Sequence, residues 1–303
     1  MSELPSKSSP LTPPPPPPSV SEPSLLAGVN ILLEGPTGTG KTYASASLAD
    51  IPGLEVFYLF TEAGIETLLG VWTDSNREIP SNVHWHVLPR GSTDFATLAQ
   101  TAETINASSQ DSLHKMQDPK RSQHNQFVTL LRALNNFPDD RTGEKFGNVG
   151  QWGPNRCLVI DSFSGLNPIA LSLVVGGKPV KSQADWGIAQ DQLEKFIRQC
   201  TDGCKCHFVL LAHVEREVDQ VLGGTKITVS TLGRALAPKI PPLFSDVVLA
   251  VRNGTKWSWS TANSQADLKT RNLPWSEDIT PGFKQIFDKW QSRGGKLTPI
   301  VKS

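Results

Sequence analysis

The sequence has no excess of charge of either sign: its 303 residues include 29 Lys and Arg and 29 Asp and Glu, so the formal net charge is zero. A strong overall field for nucleic acid is therefore absent, and any DNA binding has to use local patches. No apolar stretch approaches the roughly 20 residues of a membrane-spanning helix. The N-terminus also lacks the basic and apolar regions of a signal peptide. We expect a cytoplasmic protein that does not contact a membrane.

Cysteine is scarce, with four residues at Cys157, Cys200, Cys204 and Cys206. The last three, followed by His207, suggest a zinc site at first sight. However, Cys206 and His207 begin a predicted strand, so their side chains should point to opposite faces of it. The pattern favours reduced structural thiols over a metal site.

The first 27 residues contain an unbroken proline run, Pro13–Pro18, and little that could form a core. This composition predicts a disordered tail with polyproline II character. Such a tail is either a flexible leader or a docking peptide for a protein partner.

Residues 28–275 alternate short apolar segments with helical ones, which predicts an α/β domain with a mostly parallel sheet flanked by helices. The predicted strands are 29–34, 56–60, 83–88, 157–160, 207–212 and 246–251. The predicted helices are 41–49, 62–72, 94–107, 124–136, 184–200 and 281–292. An Asn253-Gly254 turn predicts a C-terminal antiparallel hairpin. Polar segments 108–123 and 138–155 are predicted surface insertions, and residues 276–303 form a C-terminal helix and tail.

The most informative segment is a complete G-x-x-x-x-G-K-T motif between a predicted strand and a predicted helix. Its glycines allow backbone N–H groups to surround a triphosphate, the lysine reaches the β- and γ-phosphates, and the threonine hydroxyl ligates Mg²⁺. The predicted ATP-binding residues are Gly35, Pro36, Thr37, Gly38, Thr39, Gly40, Lys41 and Thr42.

Three further polar residues follow predicted strands. Asp161 ends an apolar strand and is the expected second Mg²⁺ group and nucleotide-binding residue beside Thr42; the alternative is an aspartate that only caps the next helix. Glu62 follows the second strand, where it either polarises an attacking water or simply begins a helix. His213 follows another strand and is either a sensor of the γ-phosphate or a structural histidine.

Lys269 and Arg271 lie beyond the hairpin, spaced two residues apart. On an extended segment they would project to one side, a suitable geometry for holding a γ-phosphate. Exposed pairs of this kind are also common on ordinary surfaces.

The ordered set Gly35–Thr42, Glu62, Asp161, His213 and Lys269-x-Arg271 resembles the RecA/DnaB branch of the phosphate-loop ATPases. Within that branch the chain is similar to phage RecA-like recombination ATPases, including the Sak-type single-strand annealing proteins. The resemblance implies that Glu62 activates water and that His213 couples nucleotide to DNA, although recombinases usually have Gln there. It also implies that Lys269 and Arg271 reach the ATP of a neighbouring subunit, so the chain should form a homo-oligomer.

The same resemblance places single-stranded DNA on two glycine-bearing, cationic loops, 163–184 and 214–242. The cations in these loops are Lys178, Lys181, Arg216, Lys226, Arg234 and Lys239. Each loop is otherwise a mobile surface excursion.

The expected function is therefore DNA-stimulated, Mg²⁺-dependent ATP hydrolysis in phage-type recombination, annealing or replication, in a phage-infected or prophage-bearing bacterial cell. Three alternatives remain open from the residues alone. They are a helicase-like motor or loader, a nucleotide-gated DNA-binding module with little hydrolysis, and a small-molecule phosphotransferase.

Overall fold

A computed structural model describes residues 26–89, 94–118, 121–218 and 223–297. The strands are β1 (Asn30–Glu34), β2 (Glu55–Phe60), β3 (Val83–Val87), β4 (Arg156–Asp161), β5 (His207–Ala212), β6 (Val214–Val218), β7 (Thr225–Val229), β8 (Asp246–Asn253) and β9 (Lys256–Ser260). The helices are α1 (Lys41–Ser45), α2 (Ile65–Thr73), α3 (Phe95–Ala107), α4 (Gln110–Lys115), α5 (Gln126–Asn135), α6 (Phe163–Val175), α7 (Gln183–Thr201) and α8 (Lys284–Ser292). Nearly all of the predicted proline-rich tail lies outside the described residues.

Seven strands form one sheet in the order β3-β2-β4-β5-β1-β8-β9. The first six are parallel, and β9 runs antiparallel to β8. Glu34 aligns with Ala212, and Asp161 aligns with both Phe60 and Leu211, so β1, β2, β4 and β5 end at one edge of the sheet. This arrangement confirms the predicted α/β class, a mostly parallel sheet with a C-terminal antiparallel hairpin.

The sheet is buried on both faces because its central strands are apolar at nearly every position. On β1, Leu32 packs into the core beneath α5, α6 and α7, whereas Leu33 packs into the opposite core with the residues after the phosphate loop. Helix α8 closes that second core with Phe287 and Trp290, together with Phe283 directly before it.

The cysteines are free thiols and all four are buried. Cys206 packs into the core that contains Leu32, while the ring of His207 lies 4.4 Å from that of Phe287 in the other core. The two side chains therefore point to opposite faces, as predicted. No group of three or more His, Cys, Asp or Glu suited to a metal ion occurs among the described residues.

Irregular segments cover both outer strands of the sheet. On β3, Asp139 and Asp140 accept hydrogen bonds from the backbone N–H groups of Trp85 and Val87 at 3.2 and 2.8 Å. On β9, Trp259 exchanges two 2.8 Å backbone hydrogen bonds with Ile279. The backbone groups at these positions are therefore satisfied within the chain.

Several predicted boundaries were wrong. The helix predicted for 41–49 is an α-helix only to Ser45 and continues as a 3₁₀-helix, Ala46–Asp50. The polar insertion 108–123 contains α4, which the sequence analysis did not predict. Across the described residues, no helix combines the length and apolar character needed to cross a bilayer.

Candidate nucleotide-binding site

The phosphate loop joins β1 to α1 and is closed by the side chain of Lys41. Gly38 and Gly40 adopt φ values of 79° and 75°, the left-handed region that favours glycine. The Lys41 ammonium is nearly buried and donates to the carbonyls of Gly35 and Pro36 at 2.8 and 2.9 Å. Burial lowers its pKa to about 8, although Asp161 and Glu62 oppose this shift.

Thr42 and Asp161 meet, as predicted from the two separate motifs. The Thr42 hydroxyl donates to Asp161 Oδ2 at 2.7 Å, because the start of α1 lies beside the end of β4. Burial raises the pKa of Asp161, and the hydrogen bond from Thr42 partly offsets that shift. A hydroxyl and a carboxylate are hard oxygen donors, so this pair fits Mg²⁺.

Glu62 lies at the same edge, two residues after β2. Its Oε1 accepts a 2.9 Å hydrogen bond from the Ser162 hydroxyl, which follows Asp161 directly. Thr61 is anchored to Ser162 through both of that residue's backbone groups, at 2.7 and 2.9 Å. The carboxylate of Glu62 is therefore held beside the Thr42–Asp161 pair.

His213 lies between Glu62 and the phosphate loop. Its Nε2 is 3.9 Å from Glu62 Oε2, and its Nδ1 is 3.4 Å from the Thr37 hydroxyl. Burial lowers the pKa of His213, and the Lys41 charge lowers it further against the effect of Glu62. The imidazole is thus biased towards its neutral form and contacts both candidate hydrolytic and phosphate-binding elements.

Lys269 and Arg271 lie elsewhere. The Lys269 ammonium donates to the Phe244 carbonyl at 2.7 Å, and the backbone N–H of Arg271 donates to Asp246 Oδ1 at 2.8 Å. Asp246 begins β8 and aligns with Ile31 near the start of β1, at the edge opposite the phosphate loop. These two residues therefore do not join the site of their own chain, and their action on a neighbouring subunit stays a prediction.

The predicted loop 163–184 is largely helical, and the expectation of a flexible loop was wrong there. Residues 163–175 form α6, which buries Phe163, Leu166 and Ala170 against the sheet. Those apolar positions recur at helical spacing, a signal that the loop interpretation overlooked. Only 176–182, between α6 and α7, remains outside regular structure.

The predicted loop 214–242 contains the β6–β7 hairpin, in which Val214 aligns with Val229 and Val218 with Thr225. The alternating pattern of Thr225–Val229 could have predicted β7. The hairpin begins directly after His213, whose carbonyl accepts a 2.8 Å hydrogen bond from the Ser230 N–H. A displacement of His213 would therefore move the base of the β6–β7 hairpin.

Trp257 on β9 is a site residue that the sequence analysis missed. Its indole N–H donates to the Gly38 carbonyl at 3.3 Å, and the guanidinium of Arg252 lies 5.5 Å from its ring centre. The predicted hairpin could have pointed to it, because β8 pairs with β1 and β9 pairs with β8. Residues of β9 therefore lie near the phosphate loop that follows β1.

These features define the class of the protein: a phosphate-loop α/β fold with lysine, threonine and two carboxylates gathered at one sheet edge. No protein-family model matches the chain, and no curated protein matches it. Among solved structures, the chain is similar to a prototypical ATPase from the type III secretion system of pathogenic bacteria. That similarity has 12% identity and a TM-score of 0.39, over 79% of this chain and 60% of the other. The class therefore rests on the sheet and the loop described above.

Proposed function

We propose that the chain binds and hydrolyses ATP. The observation that carries the proposal is the 2.7 Å contact between Thr42 and Asp161 beside the buried ammonium of Lys41. It unites a phosphate-binding loop with a magnesium-type oxygen pair, and Glu62 supplies a base at the same edge.

In this proposal each side chain has a distinct task. Lys41 and the N–H groups of the loop bind the phosphates, and Thr42 and Asp161 hold Mg²⁺. The metal neutralises charge on the phosphate oxygens when it is bound. Glu62 orients a water molecule and accepts its proton, and the hydrogen bond from Ser162 fixes the carboxylate for that task.

The test compares ATP binding and steady-state hydrolysis in the wild type, Lys41→Ala and Asp161→Asn. We expect weakened nucleotide binding in the first variant and loss of Mg²⁺-dependent turnover in the second. Glu277→Gln, an exposed acid, is the matched control and should behave as the wild type. Unchanged hydrolysis in Lys41→Ala would contradict the proposal.

We further propose that hydrolysis serves binding of single-stranded DNA, in a phage RecA-like recombination or annealing role such as that of the Sak-type proteins. Four of the six predicted DNA-contacting cations form ion pairs within the chain, namely Lys178 with Asp185, Lys226 with Asp267, Arg234 with Glu217 and Lys239 with Glu194. Among the described residues, Lys181 and Arg216 are exposed and have no such pair. We therefore assign the phosphate contacts first to these two unpaired cations.

The DNA proposal is tested by measuring hydrolysis with no DNA, with single strands and with duplex at low salt. Stimulation by single strands should fall in the Lys181→Ala/Arg216→Ala variant. The control is Lys115→Ala/Lys145→Ala, which removes the same charge from exposed sites elsewhere. Equal stimulation of both variants would contradict the assignment of these cations.

The contact between His213 and Thr37 favours one alternative, a nucleotide-gated DNA-binding module with little hydrolysis. In that case ATP would shift the hairpin through His213, and DNA pairing would survive Glu62→Gln. A hydrolytic cycle would not survive that change.

A further inference from the structure

A cavity of about 200 Å³ lies beneath the β6–β7 hairpin, between it, the end of β1 and the segment 234–241. A single water needs only roughly 15 Å³ of such space, so the cavity has room for a small organic group. Ile227, Val229 and Pro241 give it apolar walls. We call it the Glu34 cavity, after the one acidic residue of β1 that lines it.

Glu34 is 2% exposed, and its Oε2 has no hydrogen-bond partner among the described residues. A buried carboxyl oxygen without a donor is costly, because the group has lost its water and gained nothing in exchange. The residue directly precedes Gly35 of the phosphate loop. None of the roles proposed for nucleotide chemistry uses it.

The other charged residues of the cavity are already paired. Lys226 lies 2.8 Å from Asp267, and Arg234 lies 3.3 Å from Glu217. These four side chains are partly or largely exposed to solvent, whereas Glu34 is buried. The lining therefore holds three carboxylates and two cations. Both cations pair with the outer carboxylates, so the buried carboxyl group of Glu34 has no cation of its own among these lining residues.

This charge pattern narrows the class of ligand. An anion is disfavoured, because it would lie beside the carboxyl group of Glu34 while Lys226 and Arg234 already pair with other carboxylates. A metal ion would require a cluster of ligands that the described residues do not form. A cation with several N–H donors on an aliphatic stem matches both the carboxyl group and the apolar walls.

We propose that the Glu34 cavity binds an alkylammonium or alkylguanidinium group, supplied by a free amine or by a Lys or Arg side chain of a second copy of the chain. The ionised carboxylate of Glu34 accepts charge-assisted hydrogen bonds from the bound cation. In the cavity without that cation, burial raises the pKa of Glu34 to about 8, and Asp267 adds to the effect. Binding near neutral pH therefore releases a proton from Glu34.

The experiment is calorimetric titration of the full chain with propylguanidinium and, separately, butylammonium. Runs near pH 7 in two buffers of different ionisation enthalpy reveal proton release. We expect binding with proton release in the wild type, and about tenfold or more weaker binding without proton release in Glu34→Gln. Glu277→Gln, an exposed acid, is the matched control and should bind as the wild type does.

A second variant tests the cavity independently, in case Glu34→Gln does not fold. Ala237→Leu fills part of the cavity while leaving Glu34 in place, and it should also abolish binding. Failure of the wild type to bind either cation, or equal binding by Glu34→Gln, overturns the proposal. Both results are independent of ATP, so they do not bear on the proposed hydrolysis.

The two sources of the cation are separated by sedimentation of the wild type with and without propylguanidinium. If the probe dissociates an oligomer, the natural occupant is a side chain of a second copy. If the probe binds without changing the mass, the occupant is a free amine.

Discussion

At the residue scale, the candidate site brings together groups that influence one another's ionisation. Asp161 and Glu62 lie near Lys41, whose lowered pKa leaves it more easily deprotonated than an ordinary lysine. Glu62 is fixed by Ser162 from one side and faces His213 on the other. A substitution at Glu62 should therefore affect the chemical step more than nucleotide binding.

Glu62→Gln keeps the size and the hydrogen-bonding shape of the side chain but removes the base. We expect the kcat for ATP hydrolysis to fall about 10²–10⁴-fold, the usual contribution of general base catalysis, with little change in ATP affinity. Single-turnover hydrolysis and equilibrium nucleotide binding, measured on the same preparation, check this. A large loss of affinity with normal turnover would place Glu62 in binding instead.

Glu34 predicts a pH dependence of stability. In the folded chain burial raises the pKa of its carboxyl to about 8, whereas an exposed glutamate has a pKa of 4.5. Between these values unfolding releases a proton, so the free energy of unfolding should fall as pH rises. The loss should amount to up to a few kcal/mol, since each pKa unit is worth about 1.4 kcal/mol.

Denaturant unfolding between about pH 5 and pH 8 measures this slope. Glu34→Gln has no proton to lose there, and its stability should depend less on pH than that of the wild type. Parallel slopes in the two proteins would show that Glu34 does not titrate in this range.

At the element scale, α6 packs against the segment that carries Glu62, and this contact leaves no space for a side chain at Gly165. A Cβ there would lie 2.4 Å from Thr61 Oγ1 and 2.8 Å from Glu62 Cγ. Gly165→Ala should displace Glu62, lowering hydrolysis about tenfold to a hundredfold while ATP still binds. It should also destabilise the fold by about 1–3 kcal/mol through overpacking.

Gly187→Ala on α7 is the matched control, because a Cβ at that position meets nothing within 4 Å. It should leave hydrolysis unchanged and raise stability by up to about 1 kcal/mol, the helix preference for alanine over glycine. Assays of turnover and thermal unfolding compare the two variants. Equal activity in both would mean that α6 does not position Glu62.

The elements also show how far the sequence could predict the structure. Apolar strands such as 207–212 were identifiable because a buried parallel strand is apolar at consecutive positions. Helix α6 was missed because the resemblance placed a DNA-contacting loop at 163–184, whereas the apolar residues of the segment pack as a helix. In the β6–β7 hairpin, β7 alternates in burial and could have been predicted, whereas the mostly exposed β6 gives only a weak pattern.

For the site, the sequence predicted which residues follow each strand, and parallel strands bring those residues to one edge. That reasoning was sufficient to pair Thr42 with Asp161. It could not place Glu34, because the surroundings of that residue depend on how the β6–β7 hairpin packs. Trp257 was missed although the predicted β8–β9 hairpin carried the signal for it. Lys269 lies where it does because its segment pairs with the start of β8, a contact that spacing alone does not reveal.

At the scale of the whole molecule, the position of Lys269 and Arg271 makes oligomerisation testable. Because neither residue joins the site of its own chain, any catalytic role has to act between subunits. Arg271→Ala and Lys41→Ala should each be inactive alone, with nucleotide binding retained in the first. A mixture of the two should recover part of the ATP hydrolysis, because an intact site can then form between a Lys41 subunit and an Arg271 subunit.

Hydrolysis measured across mixing ratios checks this expectation. Normal turnover by Arg271→Ala alone would remove the arginine from the mechanism. Mixtures that stay inactive would contradict a site that takes Lys41 from one subunit and Arg271 from another.

The covered outer strands of the sheet have a consequence for how the molecule tolerates truncation. Asp139 and Asp140 on one side and Ile279 on the other occupy hydrogen-bonding groups that would otherwise accept a further strand from another molecule. Shortening the chain before Ile279 would expose the edge of β9, and Lys256 is the one charged residue of that strand that would oppose pairing with a strand of another molecule. The segments beside β3 and β9 thus block fibril-like addition of strands. A truncation that removes either segment should allow misassembly to compete with folding.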